Sequence, residues 1–372
     1  MINKIQDEDH GTIINCPKLF LEIMRKSNDL WHNSKNPHWV FRGQSNANWS
    51  LIPSVWRNSD DQPYFKTLLK QIEYLKKQYE KFQSLKGRKK LSEAQLLSLN
   101  QMEACAWVHM EFALLNEFKR RAWLNAYPVH PNFEDVTFFS RYHEYHHPFN
   151  IFSREISDGG MQKYVLAKVD PSSDKDIALA QHYNIPTRML DWTENPLIAS
   201  YFASYNDTSC QNDIVIFALD LMSLSHLFKD NWDLRPKKTM IPLLIYATFA
   251  NRRENIYIRA QEGLLTSINW HFAQNYYASE GRWPSYEDAI IAGLNVFPLP
   301  CNYEIKKFNQ KHGILRKFIL PQEHVTEFKR LLKREDITKE KIFPSLDNIA
   351  EAAKASFSPE KIDHCFIHET IK

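Results

Sequence analysis

Glycine is scarce, with 9 residues in 372 against 18 prolines. With few flexible stretches, the chain reads as long regular elements joined by stiff turns. Its 43% hydrophobic and 13% aromatic content excludes intrinsic disorder and is enough to bury a sizeable core. Cysteine is scarce too. The five residues Cys16, Cys105, Cys210, Cys301 and Cys365 are scattered, odd in number and never spaced Cys-x-x-Cys. That excludes a disulfide framework and a cysteine zinc site, and reduced thiols are the expectation. No apolar run approaches the ~20 residues of a membrane span, and Met1 to His10 is polar and acidic, without a signal-peptide core. The expected setting is the cytoplasm, with no membrane partner. There is no Walker loop, no Gly-x-Gly-x-x-Gly and no Gly-x-Ser-x-Gly, which removes P-loop kinases, Rossmann dehydrogenases and α/β-hydrolases.

What is present alternates between strand and helix patterns. Cys16 to Trp31 reads as an opening helix, with Pro17 near its start and Phe20, Ile23, Met24 and Leu30 near helical spacing. A short aromatic and β-branched strand follows at His38 to Gln44. Pro63 to Leu124 predicts two long helices hinged near Lys86-Gly87-Arg88, and Phe133 to Gly160 an irregular, His-rich loop. Ile177 to Tyr205 predicts two helices framing a proline-centred turn at Pro186 to Asp191. Ile214 to Leu219 is apolar throughout, as in a central strand. Ile256 to Arg259 and Ile314 to Leu320 are further strand candidates, and Glu323 to Lys333 and Leu346 to Ala355 predict closing helices. Strands interrupted by helical insertions imply an α+β fold with a helical subdomain.

Two short stretches concentrate the chemistry. In Phe41-Arg42-Gly43-Gln44-Ser45 an arginine ends a strand, offering a planar fork of five donors that matches phosphate oxygens. Gly43 removes a Cβ that would hold a ligand away. The structural alternative is that Arg42 pins the strand to a buried carboxylate such as Asp191 while Gly43 turns the chain. The second stretch, Gln181 to Pro196, crowds His182, Tyr183, Thr187, Arg188, Asp191 and Trp192 together before an apolar helix, with Thr193 as its expected N-cap and Pro196 in its first turn. Such crowding requires a ligand or a buried polar network, the latter being an Arg188–Asp191 pair beside a core Trp192.

Elsewhere, His143, His146 and His147 lack a carboxylate at ligand spacing, so an aromatic-polar loop is expected and no metal site is assigned. The stretch from Lys66 to Lys90, including Lys76, Lys77 and Lys81, is strongly basic, and Lys306 to Arg334 repeats the tendency. Both admit RNA or DNA as a partner, since phosphate contacts supply most non-specific affinity, with Tyr74 and other nearby aromatics able to stack on bases. A solvated basic face is the plain alternative.

WVFRGQSNANWSLIPSVWR resembles the opening of the FRG domain, a mostly bacterial family, and QHYNIPTRMLDWTENPLIASYFA is similar to its central motif. NIYIRAQEGLLTS and FPSLDNIA are similar to its third motif and closing helix. The resemblance spans residues 39–350, with insertions at about 63–125 and 133–160, a helical lead at 1–38 and a tail at 351–372. It further resembles the ADP-ribosyltransferase superfamily, implying a mixed or antiparallel sheet core that takes NAD as substrate. The resemblance implies that Phe41, Arg42, Gly43, Gln44, Tyr183, Arg188, Asp191 and Trp192 hold NAD. It gives Thr187 the second-motif position, with His182 beside it, and Gln261 or Glu262 the third, where a carboxylate best stabilises a cationic ribose. Arg259 and the lysines would bind the acceptor.

The implied function is a toxin or phage-defence effector transferring ADP-ribose to a macromolecule, nucleic acid ahead of protein, with an antitoxin or regulatory protein as partner. Two alternatives stay open. One is a hydrolase or nuclease using His182 and Asp191 as acid and base; the other is a nucleotide sensor without catalysis.

Overall fold

The computed structural model describes residues 5–8, 11–32, 38–57, 93–127, 174–205, 212–224, 245–248, 255–296 and 314–357, with isolated positions between 70 and 81. His143, His146, His147, Lys76, most of the first basic stretch and the start of the second (Lys306, Lys307 and Lys311) lie outside the described residues, as do all cysteines except Cys16 and Cys105.

Among the described residues eight strands form one sheet: β1 (Ile5–Glu8), β2 (Gly11–Ile14), β3 (Trp39–Gln44), β4 (Met189–Thr193), β5 (Ile214–Asp220), β6 (Ile245–Thr248), β7 (Gly263–Ile268) and β8 (Leu315–Leu320). Their spatial order is β1-β2-β8-β5-β3-β4-β7-β6. Every pairing is antiparallel except β2 with β8. The fold is therefore α+β with a mostly antiparallel sheet, as the sequence implies.

The period of two in each strand builds two cores, one on each face. Val40, Val215, Phe217, Leu219 and Ile319 face one cluster, joined by Leu190, Trp192 and Leu264. Trp39, Phe41, Ile214, Ile216, Ala218, Phe318 and Leu320 face the other. The first is covered by α2 (Glu93–Leu124), α6 (Trp270–Glu280) and α7 (Tyr286–Val296). The second is covered by α1 (Pro17–Ile23), α4 (Pro196–Ser204) and α8 (Gln322–Arg334). A smaller third cluster joins Leu115, Met189 and Leu265 to α3 (Asp174–His182). All of β5 is buried, which explains its unbroken apolar run.

Four local expectations are corrected. The opening helix stops at Ile23, and a 3-10 turn at Asp29–Trp31 follows, capped by Asn28 accepting from the Leu30 amide at 3.0 Å. The turn framed by Pro186 and Asp191 runs straight into strand β4, because Leu190 and Trp192 are wanted in the core. The cap of α4 is Asn195, which accepts from the Leu197 amide at 3.1 Å, while Pro196 takes the first helical position as predicted. Finally, the strand expected at Ile256 to Arg259 is a short helix, α5 (Ile256–Ala260). Asn255 caps it by accepting from the amides of Tyr257 and Ile258, both at 3.0 Å, and a good N-cap outweighs the weak β-preference of two isoleucines. Two further short helices close the described chain, α9 (Lys339–Ile342) and α10 (Leu346–Ser356). Among the described residues no helix is long and apolar enough to cross a membrane.

Candidate functional site

The sheet splits between β3 and β4. Their register is a single pair, Phe41 opposite Thr193. Beyond it β3 continues along β5 from Arg42 to Gln44, and β4 runs along β7 from Met189 to Trp192. Two strand edges that would ordinarily satisfy each other thus face a common space, which a ligand's polar groups can enter. A cleft of about 740 Å³ occupies the split. Its walls come from both faces of the sheet: Arg42, Gln44 and Trp192 from one, and Gly43, Asp191, Thr193 and Ala199 from the other.

Three devices hold the split open. Arg42 spans it, with Nη1 donating to the Asp191 carbonyl at 2.7 Å and lying 3.9 Å from the Asp191 carboxylate. Ser54 clasps the turn that leads into β4 by donating from Oγ to the Thr187 carbonyl at 3.2 Å and accepting from the Thr187 amide at 3.1 Å. Arg188 is anchored to α2, where Glu111 Oε1 accepts from both its amide and its Nε at 3.0 Å. Both partners of that ion pair are buried.

Several residues singled out for ligand chemistry are therefore scaffold. Thr187 is buried, donates to Gln181 Oε1 and accepts from the Met189 amide at 3.2 Å, so its hydroxyl shapes the turn. Arg188 lies off the cleft wall and pairs with Glu111, so the expected Arg188–Asp191 partnership does not form. Trp192 donates to Thr266 Oγ1 at 2.7 Å, which meets Tyr286 Oη at 2.6 Å, so its indole is fixed in the core with one edge on the cleft. Gly43 acts against α4 more than against a ligand: a Cβ there would lie 1.9 Å from the Ala199 carbonyl oxygen. Asp191 is 66% exposed, so it is not the buried anchor weighed for Arg42.

The third motif also resolves differently. Gln261 ends α5 and lines the cleft, with Nε2 donating to the Ile342 carbonyl at 3.4 Å. Glu262 follows with φ of 48° and turns away from the cleft wall. Its Oε2 pairs with Lys26, and its Oε1 accepts from Asn195 Nδ2 at 3.1 Å. Arg259 is exposed on α5, off the cleft wall. Of the lysines expected to bind an acceptor, Lys77 and Lys81 are exposed, and Lys77 pairs with Glu73 at 2.8 Å.

What remains in the cleft is Arg42, Gln44, His182, Tyr183, Asp191 and Gln261, together with Trp49, Arg57, Gln181 and Tyr257. Burial pushes the Arg42 pKa down, opposed by the charge of Asp191. Neither Arg42 Nε nor Gln44 Oε1 has a hydrogen-bond partner, although both are buried. A buried, unpaired donor and acceptor on one wall are costly unless something completes them. Burial also lowers the pKa of His182, against the opposing charge of Asp191, so its ring is held neutral near pH 7. Tyr257 packs 5.1 Å from it, centroid to centroid. A side pocket of about 60 Å³ continues past His182, Asp191 and Gln261. Among the described residues no group of His, Cys, Asp or Glu is arranged to hold a metal ion.

Sequence reasoning passed over Trp49 and Arg57. Both close the same stretch that carries Arg42, but a lone Trp and a lone Arg near Asn and Asp residues look like ordinary surface positions.

A family model described as FRG domain matches residues 137–212, a span that includes α3, β4 and α4. The stretch carrying Arg42 lies outside it. The match supports the FRG resemblance of the central motif and leaves the likeness to ADP-ribosyltransferases as an expectation. No curated protein and no solved structure matches the chain.

Proposed function

We propose that the cleft binds NAD and that the protein transfers its ADP-ribose to a macromolecule, nucleic acid ahead of protein. The observation that carries this reading is the Arg42 wall: a guanidinium with an unpartnered buried Nε beside an unpartnered Gln44 Oε1, spanning a split in the sheet to Asp191. The cleft's size falls within the few hundred to about 1,000 Å³ of ordinary small-molecule sites. A planar fork with donors to spare suits phosphate oxygens, and exposed Trp49 and Tyr183 offer apolar rings to a base or a nicotinamide.

The chemistry then falls to two side chains. As the bond from ribose to nicotinamide breaks, nicotinamide leaves with the electron pair and positive charge grows on the ribose. Asp191 is the one carboxylate among the described residues lining the cleft, and it supplies the opposing charge. Glu262, with both oxygens engaged elsewhere, does not take this role in our reading. An acceptor hydroxyl or amine forms the new bond with its lone pair. Neutral His182 accepts the proton released. Gln261 contributes an amide on the same wall.

The test is incubation of the full chain with labelled NAD and, separately, RNA, DNA and protein. Nicotinamide release together with label on one of the three is the expected result. Absence of label from all of them, with the protein folded, removes the proposal. That His182 and Asp191 line one cleft also favours a second reading in which water is the acceptor, and free ADP-ribose without label transfer would identify it.

A further inference from the structure

Arg57 carries a second positive charge into the same cleft. It ends the segment that leads from β3 through a 3-10 turn at Ser54–Trp56, and its Nε donates to the Ile52 carbonyl at 3.0 Å. That bond fixes the side chain near its middle and leaves the two terminal nitrogens directed elsewhere. Although the side chain keeps access to solvent, the surrounding protein pushes its pKa down, the charge of Arg42 pushes it further, and Asp191 alone opposes. Among the described residues no carboxylate pairs with Arg57. Among the described residues the cleft thus holds two mutually repelling guanidinium groups against one aspartate, with His182 neutral. An arrangement of that kind is unfavourable until an anion of more than one charge enters.

Beside these arginines stands Trp49, 53% exposed although it lines the cleft. The Asn46 side chain holds the turn that presents it, accepting from the Asn48 amide at 2.9 Å, while the Trp49 amide donates to the Asn46 carbonyl at 3.2 Å. A fixed backbone below a half-exposed indole makes a platform on which a flat ring can stack.

We propose that Arg57 and Trp49 form a second grip in this cleft, Arg57 holding a second phosphate alongside the one held by Arg42 and Trp49 stacking on the attached base, so that the ligand class is a nucleoside diphosphate ester. The inference rests on the reading of this cleft as a nucleotide site, and it names which part of the nucleotide is read. It does not depend on whether transfer occurs.

Calorimetric titration of the full chain with ADP, AMP, adenosine and inorganic pyrophosphate tests it. ADP should bind about tenfold or more tightly than AMP, with adenosine weakest, and pyrophosphate should compete with ADP. Arg57→Gln should bring the ADP-to-AMP ratio close to one while AMP affinity stays near its starting value. Arg57→Lys should recover only part of the ratio, since a point charge replaces a fork. Trp49→Ala should weaken ADP about tenfold and leave pyrophosphate unchanged. Thermal melting of each variant shows whether the fold is kept, and Arg57→Lys serves where Arg57→Gln does not fold.

Equal binding of ADP and AMP, a ratio that survives Arg57→Gln, or no nucleotide binding at all would each overturn the grip. Tight ADP binding with no turnover of NAD would overturn only the transfer reading and leave the grip standing.

Discussion

Replacing Asp191 by Asn keeps the shape of the side chain and removes only its charge. The backbone contact survives, because the bond that ties Arg42 across the split uses the Asp191 carbonyl at 2.7 Å. What is lost is the carboxylate 3.9 Å from Arg42 Nη1. With 66% of the Asp191 side chain in solvent, that ion pair contributes at most about 1 kcal/mol to folding. The melting temperature should therefore move little. The rate should not be spared. A preorganised charge facing a developing cation contributes about 3 to 4 kcal/mol, so the chemical step should slow by roughly 100- to 1,000-fold.

Affinity for NAD should hold or improve, since one negative charge leaves the neighbourhood of Arg42 and Arg57. The assay is nicotinamide release at saturating and subsaturating NAD, giving kcat and KM separately, with a thermal melt on the same sample. Glu262→Gln is the paired control: its carboxylate is bound to Lys26 and Asn195, off the cleft wall, so it should alter stability more than rate. Asp191→Asn turning over within threefold of the parent, or Glu262→Gln proving the slower of the two, would refute the assignment.

Gly43→Ala should destabilise the fold by about 3 kcal/mol or more, because its Cβ would sit 1.9 Å from the Ala199 carbonyl oxygen and α4 would have to shift; urea unfolding measures it. Removing either partner of the buried Arg188–Glu111 pair should cost about 3 to 5 kcal/mol, whereas the double change to Met and Leu should recover much of the loss, as a double-mutant cycle in thermal unfolding would record. Because the fold lowers the His182 pKa, its neutral form prevails down to below the ordinary value of about 6.5. The acid limb of kcat/KM should therefore lie below pH 6.5, and the stability tied to this shift should be complete above pH 6.5 and lost as pH falls through the folded pKa. A limb above pH 6.5, or one that persists in His182→Gln, would contradict this.

The sheet was legible where burial wrote an unambiguous pattern. The apolar run of β5 and the Phe318-Ile319-Leu320 run that ends β8 both read as strands. The segment before β7 misleads: Ile256-Tyr257-Ile258 carries the residues of a strand, and the decision lay with Asn255, a single cap whose two bonds are invisible to periodicity. That one cap places Gln261 at a helix end and Glu262 at positive φ, just past the stretch expected to be a strand.

The site was legible as a location and much less as a set of roles. A buried polar network and a ligand site ask for the same residue types, and their partners decide between them. Arg188 finds its partner 77 residues earlier in the chain, and Thr187 finds Ser54 and Gln181. Once those pairings are made, two buried atoms without partners stand out among the described residues, Arg42 Nε and Gln44 Oε1, and beside them the charge of Arg57, which no described carboxylate pairs. None of the three is distinguished by its own letter in the sequence. Each is distinguished by what fails to reach it, because β3 and β4 part after a single pair and leave a cleft where a continuous sheet would have closed. The crowded motif at residues 181–196 builds that parting and lines it with His182, Tyr183 and Asp191, and the sparser stretch at residues 39–57 lines it with Arg42, Gln44, Trp49 and Arg57.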